Sequence, residues 1–322
     1  MNAIGVDVGG TKIAAAAVSP EGEILNEVRY PTQAIPPDRL VETIARAITE
    51  AKGDGEIGGA CVAVPGLILA AENKVVFAPN LHEIEDIRLD DALGERTGLS
   101  VTVENDANAA AWGEFRFGAG SDVDHLVFIT LGTGVGGGVI SHGVLLRGAQ
   151  GSGGELGHIV LQPGGPLCGC GNHGCLEALA SGTAIQRRAR EVANEEPNSA
   201  LGRLAVERRV LGEDVTKLAR EGDEAALRVL RDIGAWLGVG LAGFVNIFNP
   251  EVVAVGGGAS EAGNFILEPA RKEMHLRARS PSRDLVEIKE ATLGPESGVL
   301  GAAALARGDD GEYVLGPSKR VT

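Results

Sequence analysis

Residues 155–177 bring three of the chain's four cysteines close to a histidine and two glutamates. The segment reads ELGHIVLQPGGPLCGCGNHGCLE, in which Cys168, Cys170 and Cys175 follow the spacing C-x-C-x₄-C. This spacing contains no Cys-x-x-Cys pair and so does not fit thioredoxin-type redox chemistry. Three thiolates and one imidazole form a closed ligand set that is usual for structural zinc. We therefore predict a structural Zn²⁺ bound by these cysteines and His158.

Two alternatives to this ligand set stay open in the sequence. His173 lies inside the loop and could replace His158 as a ligand, or the thiols could be reduced and free of metal. A bound ion would also fix Glu155 and Glu177 around one pocket. Carboxylates accept hydrogen bonds from hydroxyl groups, and histidine either donates or accepts them. The loop therefore predicts a polar pocket with a metal-stiffened wall, unless the glutamates are solvated loop charges.

A second candidate site is the sequence VENDANAAAWGE, in which Asn105 and Asp106 stand where a predicted strand ends and a helix begins. An Asp at this point can be a plain helix N-cap. The carboxyl end of a strand in an α/β lobe is also where ligands bind. Phosphoryl transfer to an alcohol needs a carboxylate that accepts the hydroxyl proton, and Asp106 suits that role.

Three glycine-rich turns follow apolar strand patterns, with the sequences DVGGTK at 7–12, GTGVGGG at 132–138 and GGGAS at 256–260. Glycines let backbone N–H groups approach phosphate oxygens closely. No GxxxxGK[ST] motif is present, and the GxGxxG match at 132–137 runs into a strand rather than a helix. Three such turns favour a phosphate site of another type, although any single one could be a simple hairpin bend.

Asp7 is the one acid beside the first glycine turn, and Thr11 adds a hydroxyl group. Mg²⁺ in proteins takes few carboxylates and keeps several waters, so Asp7 is a candidate to hold it, in part through water. The alternative is an Asx-type hydrogen bond that stabilises the turn.

These residues need two strand-turn-strand units to position them, at residues 3–18 and 125–141. Helices are predicted at 39–52 and 223–248 from the spacing of their apolar residues. The segment 58–68 is predicted to be a buried strand closed by Pro65-Gly66, and 252–260 a strand that runs into glycines. The repeated unit indicates a duplicated α/β architecture with one hairpin opening each lobe. Cys61 is expected to be a small buried hydrophobe, and the tail after Arg307 to be frayed.

The composition excludes several classes of function. A chain of 322 residues with 44% apolar content can build two cores, and its formal net charge of −15 disfavours nucleic acid and anionic membranes as partners. The longest uncharged apolar run, at 233–248, is shorter than the ~20 residues that span a bilayer and is expected to be a buried helix. The start lacks a secretory signal, so we expect a cytoplasmic protein.

The motifs DVGGTK, LGTGVGGG, ENDANAAA, ELGH and CGCGNHGCLE resemble, in order and spacing, those of the ROK family of sugar kinases and repressors. The resemblance covers residues 3–307 and is strongest to the family's bacterial ATP-dependent glucokinases. It implies a two-lobed α/β fold of the actin/hexokinase (ribonuclease H-like) type. We expect a smaller lobe of residues 1–117 with 299–322, and a larger lobe of residues 118–298 that contains a zinc loop at 158–175.

The resemblance also implies a role for each motif residue. ATP would be bound by the glycine turns, at Asp7, Gly9, Gly10, Thr11, Lys12, Gly132, Thr133, Gly134, Gly256, Gly257 and Gly258. The sugar would be bound by Gly66, Asn105, Asp106, Glu155, His158 and Glu177. Asp106 would be the catalytic base, and the reaction would transfer the γ-phosphoryl group of ATP to the 6-hydroxyl of glucose with Mg²⁺. Family members form homodimers or homotetramers, which we expect here.

Three other readings stay open. The pocket acids do not distinguish glucose from N-acetylmannosamine, mannose or fructose. Polyphosphate could be the donor, although it would favour a basic groove. A sugar-sensing repressor would carry a DNA-binding segment ahead of the first hairpin, where only three residues precede Ile4, so we expect a kinase.

Overall fold

The computed structural model describes residues 1–32, 35–36, 39–69, 72–78 and 81–308. Almost all of the tail after Arg307, including the last residues assigned to the smaller lobe, lies outside this part. Across the described ranges, no helix combines the length and the apolar character that crossing a membrane requires.

Strands and helices alternate along the described chain. In chain order the strands are β1 (Asn2–Val8), β2 (Lys12–Val18), β3 (Ile24–Pro31), β4 (Ile57–Val64), β5 (Leu67–Leu69), β6 (Lys74–Phe77), β7 (Val101–Asn105), β8 (Leu126–Leu131), β9 (Val135–Ser141), β10 (Val144–Leu145), β11 (Val252–Gly256) and β12 (Glu287–Glu290). The helices are α1 (Leu40–Lys52), α2 (Leu89–Thr97), α3 (Asp106–Phe117), α4 (Leu176–Ala180), α5 (Gly182–Glu195), α6 (Ala200–Glu207), α7 (Gly212–Arg220), α8 (Glu224–Phe248), α9 (Asn264–Arg277), α10 (Ser282–Leu285) and α11 (Ser297–Leu305).

Two five-stranded sheets repeat one topology. The first has the strand order β3-β2-β1-β4-β7 and the second has the order β10-β9-β8-β11-β12. Each is led by an antiparallel hairpin, β1–β2 or β8–β9. β4 and β11 pair in parallel with the first strand of each hairpin, and β7 and β12 extend the sheets in parallel beyond them. The predicted duplication of a hairpin-led α/β unit is therefore confirmed. A separate β5–β6 hairpin follows β4.

The central parallel strands β4 and β11 are buried on both faces, which is why they contain nearly continuous apolar runs. β4 reads IGGACVAV and is buried from its third residue on, with Cys61 only 1% exposed, as expected for a small hydrophobe. β11 reads VVAVG and is buried throughout. The apolar run at 233–248 forms most of α8, whose inner face is buried in the core of the second sheet, as predicted.

Helices α3 and α11 pack between the two sheets. Their backbones approach so closely that a Cβ at Gly113 would clash with the Ser297 carbonyl oxygen, and one at Gly301 with that of Ala109. The core around them mixes residues from both sheets, including Cys61 from β4 and Phe128 from β8. The two small-residue helices thus join the lobes. They place the start of α3, where the candidate base stands, in the space between the lobes.

Candidate active site

The candidate base and its neighbour stand at the start of α3. Asn105, rather than Asp106, is the N-cap: its Oδ1 accepts hydrogen bonds from the N–H groups of Ala107 at 2.9 Å and Asn108 at 3.0 Å. Its Nδ2 donates to the Gly66 carbonyl at 3.0 Å. Asp106 is the first residue of α3; its Oδ1 also accepts the Ala107 N–H at 2.8 Å, and the carboxylate borders the cleft cavities.

The parallel strands of the first sheet end at the same edge, and the predicted residues follow them. Asp7 lies at the end of β1, Gly66 follows β4, and Asn105 ends β7. Gly66 has φ of 117°, and a Cβ there would clash with the Phe77 carbonyl oxygen, so the site needs glycine. The second sheet presents Gly132 and Gly257 just beyond the ends of β8 and β11.

Two cavities meet at Asp106. One, of about 840 Å³, includes every predicted sugar-binding residue in its lining, namely Gly66, Asn105, Asp106, Glu155, His158 and Glu177. Gly10, Thr11, Gly132, Thr133 and Gly134 also line it. The other, of about 590 Å³, is lined by Asp7, Lys12, Asp106 and the three glycines 256–258. Asp106 and Thr130 belong to both linings, so a group in either cavity is within the reach of one carboxylate.

The residues of the glycine turns differ in what they contact. Gly9 closes the β1–β2 hairpin, because its N–H donates to the Lys12 carbonyl at 2.8 Å. Gly10 and Thr11 instead line the larger cavity. A third cavity, of about 430 Å³, lies beside Gly132, Thr133 and Gly258 and continues toward α5 and α7. The turns therefore border a continuous series of spaces across the cleft.

Asp7 and Asp106 are held in poorly solvated positions, whereas the Glu155 side chain is 45% exposed. Burial raises the pKa of Asp7 to about 6, the nearby Asp106 charge adds to the rise, and Lys12 opposes it. Burial also raises the pKa of Asp106, although backbone hydrogen bonds act in the opposite direction. The pKa of Glu155 is raised by burial, against the opposing effect of His158 and with the charges of Asp106 and Glu177 adding to the rise. A base with a raised pKa is better matched to proton transfer near neutral pH.

The four predicted zinc ligands converge. One ligand atom from each of His158, Cys168, Cys170 and Cys175 lies within 4.8 Å of the others. Cys170 Sγ is 3.8 Å from Cys175 Sγ, and Cys168 Sγ is 3.7 Å from His158 Nδ1. Tetrahedral ligands about 2.3 Å from zinc stand roughly 3.8 Å apart, so the donor atoms fit the ion.

Backbone turns build this cluster and determine which histidine lies in it among the described residues. His173 is exposed and its Nδ1 lies 3.0 Å from the Gly165 carbonyl oxygen, away from the thiols. The loop is closed by hydrogen bonds from Cys168 N to Asn172 O and from Gly174 N to Pro166 O, both at 2.8 Å. Its geometry brings His158, and not His173, to the three sulfur atoms.

The same loop positions the sugar-side acids. Glu177 Oε1 lies 3.2 Å from Cys168 Sγ, and its Oε2 accepts the Val135 N–H at 3.1 Å. His158 turns Nδ1 to the thiol cluster while its Nε2 is 3.9 Å from Glu155 Oε2. The imidazole and Glu177 therefore connect the metal site directly to the larger cavity.

Sequence reasoning missed a buried network directly behind the candidate base. Glu104, only 5% exposed, accepts hydrogen bonds from Asn105 N at 2.9 Å, Asn108 Nδ2 at 3.0 Å and Arg147 Nε at 2.6 Å. Arg147 belongs to the loop after β10 and accepts the Gly153 N–H through its carbonyl, just before Glu155. Glu104, the first residue of ENDAN, is visible in the sequence as an acid beside the candidate base. Its partner Arg147, 43 residues away, is not visible there.

The comparisons with known proteins agree with this arrangement. The ROK family model matches residues 3–309. The chain belongs to the ROK family. It is 41% identical to a glucokinase from Streptomyces coelicolor, over 95% of this chain and 98% of the relative, and 40% identical to a glucokinase from Thermotoga maritima, over 94% and 96%.

A solved structure extends the comparison to the fold. The ROK family glucokinase from Streptomyces griseus, in complex with glucose and AMPPNP, is 40% identical and aligns over 96% of this chain and 100% of its own, with a TM-score of 0.82. The family resemblance read from the motifs and the predicted two-lobed fold are both confirmed.

Proposed function

We propose that this protein is an ATP-dependent glucokinase that converts glucose and ATP to glucose 6-phosphate and ADP. The observation that carries the proposal is the position of Asp106 on the shared border of two cavities. One is lined by acids, an amide and an imidazole suited to sugar hydroxyls, with two of the glycine turns at its border. The other is lined by Asp7, Lys12 and the glycines 256–258, which suit phosphates and their cation. The glucose and AMPPNP bound by the Streptomyces griseus relative support the same pair of substrates.

In the proposed reaction, Asn105, Glu155, His158 and Glu177 hold the sugar so that its 6-hydroxyl faces Asp106. The Asp106 carboxylate takes the hydroxyl proton, and the sugar oxygen forms a bond to the γ-phosphorus. The bond from that phosphorus to the bridging oxygen breaks, and the electron pair leaves with ADP. Water exclusion by the cleft walls strengthens these interactions.

The phosphates of ATP would be bound by Gly10, Thr11, Lys12 and the turns at 132–134 and 256–258. Mg²⁺, held near Asp7 in part through water, would neutralise charge on the phosphates. The fit of this cation rests on Asp7 itself: a carboxylate whose pKa burial raises to about 6 gains most from a nearby cation.

The zinc site is proposed as a scaffold. Zn²⁺ bound by His158 and the three thiols would fix the loop that carries Glu177 and one wall of the sugar cavity. The proposal also includes the two-lobe division at 1–117 with 299–322 and 118–298, and a homodimer or homotetramer. ATP and reduced thiols are both available in the cytoplasm, which is the proposed location.

The test is a coupled assay of ADP release with purified protein and a panel of substrates. Glucose, mannose, fructose and N-acetylmannosamine are compared as acceptors, and ATP and polyphosphate as donors, with Asp106→Asn purified in parallel as a control for contaminating kinases. We expect glucose with ATP to give the highest kcat/KM and a 6-phosphate product by ³¹P NMR. Turnover restricted to another hexose would contradict glucose as the proposed substrate. No turnover with any sugar would contradict the proposed kinase activity.

A further inference from the structure

Glu114 is a fully buried carboxylate on α3 that lies outside both catalytic cavities and has no role in the proposed chemistry. Its exposed fraction is 0%. Its Oε1 accepts the Leu293 N–H at 2.8 Å. Its Oε2 accepts the N–H groups of Ala119 at 2.9 Å and Thr292 at 3.1 Å, and the Thr292 hydroxyl at 3.3 Å. Hydrogen bonds to a charged acceptor are stronger than neutral ones, so this is a firm attachment.

The segment held by Glu114 is a wall of the smaller cavity. Residues 291–296 connect β12 of the second sheet to α11. Ala291, Gly294 and Pro295 line the cavity that also contains Asp7 and Asp106. Thr292 and Leu293 stand between these lining residues, and their N–H groups point back to Glu114. The position of this wall is therefore set by a side chain behind it.

The opposite end of the same helix carries Asp106. Glu114 lies eight residues along α3 from it, so one rigid helix holds the candidate base at its start and the cavity wall near its end. We propose that Glu114 is a positioning residue for the nucleotide: it fixes the wall at residues 291–295 at a set distance from Asp106. This inference rests on the proposed function, in which the smaller cavity binds ATP.

The attachment requires a carboxylate. Both oxygens accept N–H donors, whereas the amide of glutamine offers one acceptor oxygen and an NH₂ group that would face another donor. The surroundings are also closed, because a Cβ at Gly118 would clash with Glu114 Oε2. A variant side chain therefore cannot move aside, and the wall must shift instead.

The test compares Glu114→Gln with Asp223→Asn, a matched control in the second lobe. Asp223 also accepts backbone N–H groups through both oxygens, from Ala226 at 2.9 Å and Ala200 at 2.7 Å. KM for ATP and for glucose, kcat, the Kd of AMPPNP by calorimetry, and urea-induced unfolding are measured for each protein. We expect Glu114→Gln to raise the KM of ATP and the Kd of AMPPNP about tenfold, because a hydrogen bond to a charged group is lost. The KM of glucose should change less than twofold, and Asp223→Asn should lower stability without this split.

A milder variant keeps the inference testable if Glu114→Gln does not fold. Thr292→Val removes only the hydroxyl donor and keeps the backbone N–H, so the KM of ATP should rise about threefold with little change for glucose. Equal changes for both substrates, or no change in either variant that folds, would overturn the positioning role. Wild-type protein that neither binds AMPPNP nor turns over would instead refute the proposed function.

Discussion

Asp7→Asn should make the protein more stable and, at the same time, nearly inactive. Burial raises the pKa of Asp7 from its ordinary value of 3.8 to about 6, so the charged carboxylate is disfavoured in the folded state. The folded state therefore favours the protonated carboxyl group, which adds to the free energy of unfolding. This contribution is fully present below pH 3.8 and is lost as the pH rises through 6. Asparagine stays neutral and does not incur that loss.

The difference between the two pKa values sets the size of the effect. One unit corresponds to about 1.4 kcal/mol, so ionising Asp7 in the folded protein costs at most about 3 kcal/mol at pH 8. The free energy of unfolding of Asp7→Asn, minus that of wild type, should therefore grow with pH between 4 and 7. The repulsion between the Asp7 and Asp106 carboxylates is already part of this shift.

The assay is urea-induced unfolding from pH 4.5 to 8, with zinc retained and with neither Mg²⁺ nor nucleotide. Asp122→Asn, at an exposed acid in the turn after α3, is the control for the substitution itself. A stability difference that stays constant across this pH range, or a variant less stable than wild type at pH 8, would contradict the raised pKa of Asp7. The variant should lose most ATP-dependent turnover, because the proposed Mg²⁺ position loses its carboxylate.

Three further predictions concern the scaffold around the site. Cys175→Ser removes a fully buried thiol, so zinc content by atomic absorption should fall, the Tm should drop and the KM of glucose should rise at least about tenfold. Arg147→Met leaves the Glu104 carboxylate buried without this partner. The KM of glucose should rise about tenfold while the KM of ATP stays within about twofold. Equal effects on the two KM values would contradict a role of this ion pair on the sugar side of the cleft. Gly301→Ala inserts a methyl group between two touching helices and should lower the free energy of unfolding by about 1–3 kcal/mol, whereas Gly243→Ala, where a Cβ meets open space, should be neutral or slightly stabilising.

The motifs could be predicted from the sequence because each combines a backbone requirement with a chemical one. A glycine turn after an apolar strand, or an Asn-Asp pair at a helix start, is local, and the parallel strands then bring these ends to one edge. The prediction of His158 as a zinc ligand left His173 as an open alternative, because spacing alone does not separate the two. His158 and His173 are both close to the thiols in sequence. Only the fold of the loop places His158 beside the thiols and His173 away from them.

The supports of the site escaped prediction because their partners are distant in sequence. Glu104 pairs with Arg147 across 43 residues, and Glu114 bonds Thr292 across 178. An acid on a buried strand or helix face is visible in the sequence, but which donor satisfies it depends on how the two lobes pack. The alternative that Asp106 is the plain N-cap of α3 is wrong, since Asn105 takes that role.

The single-turnover rate of Asp106→Asn with glucose already bound tests whether Asp106 takes the hydroxyl proton. Glucose Kd by calorimetry should change only a few fold, since the other sugar contacts remain, while phosphoryl transfer should slow by about 10² to 10⁴ or more. The far-UV circular dichroism spectrum should be unchanged. Transfer at a near-native rate in the glucose-saturated variant would contradict the claim that Asp106 takes the hydroxyl proton.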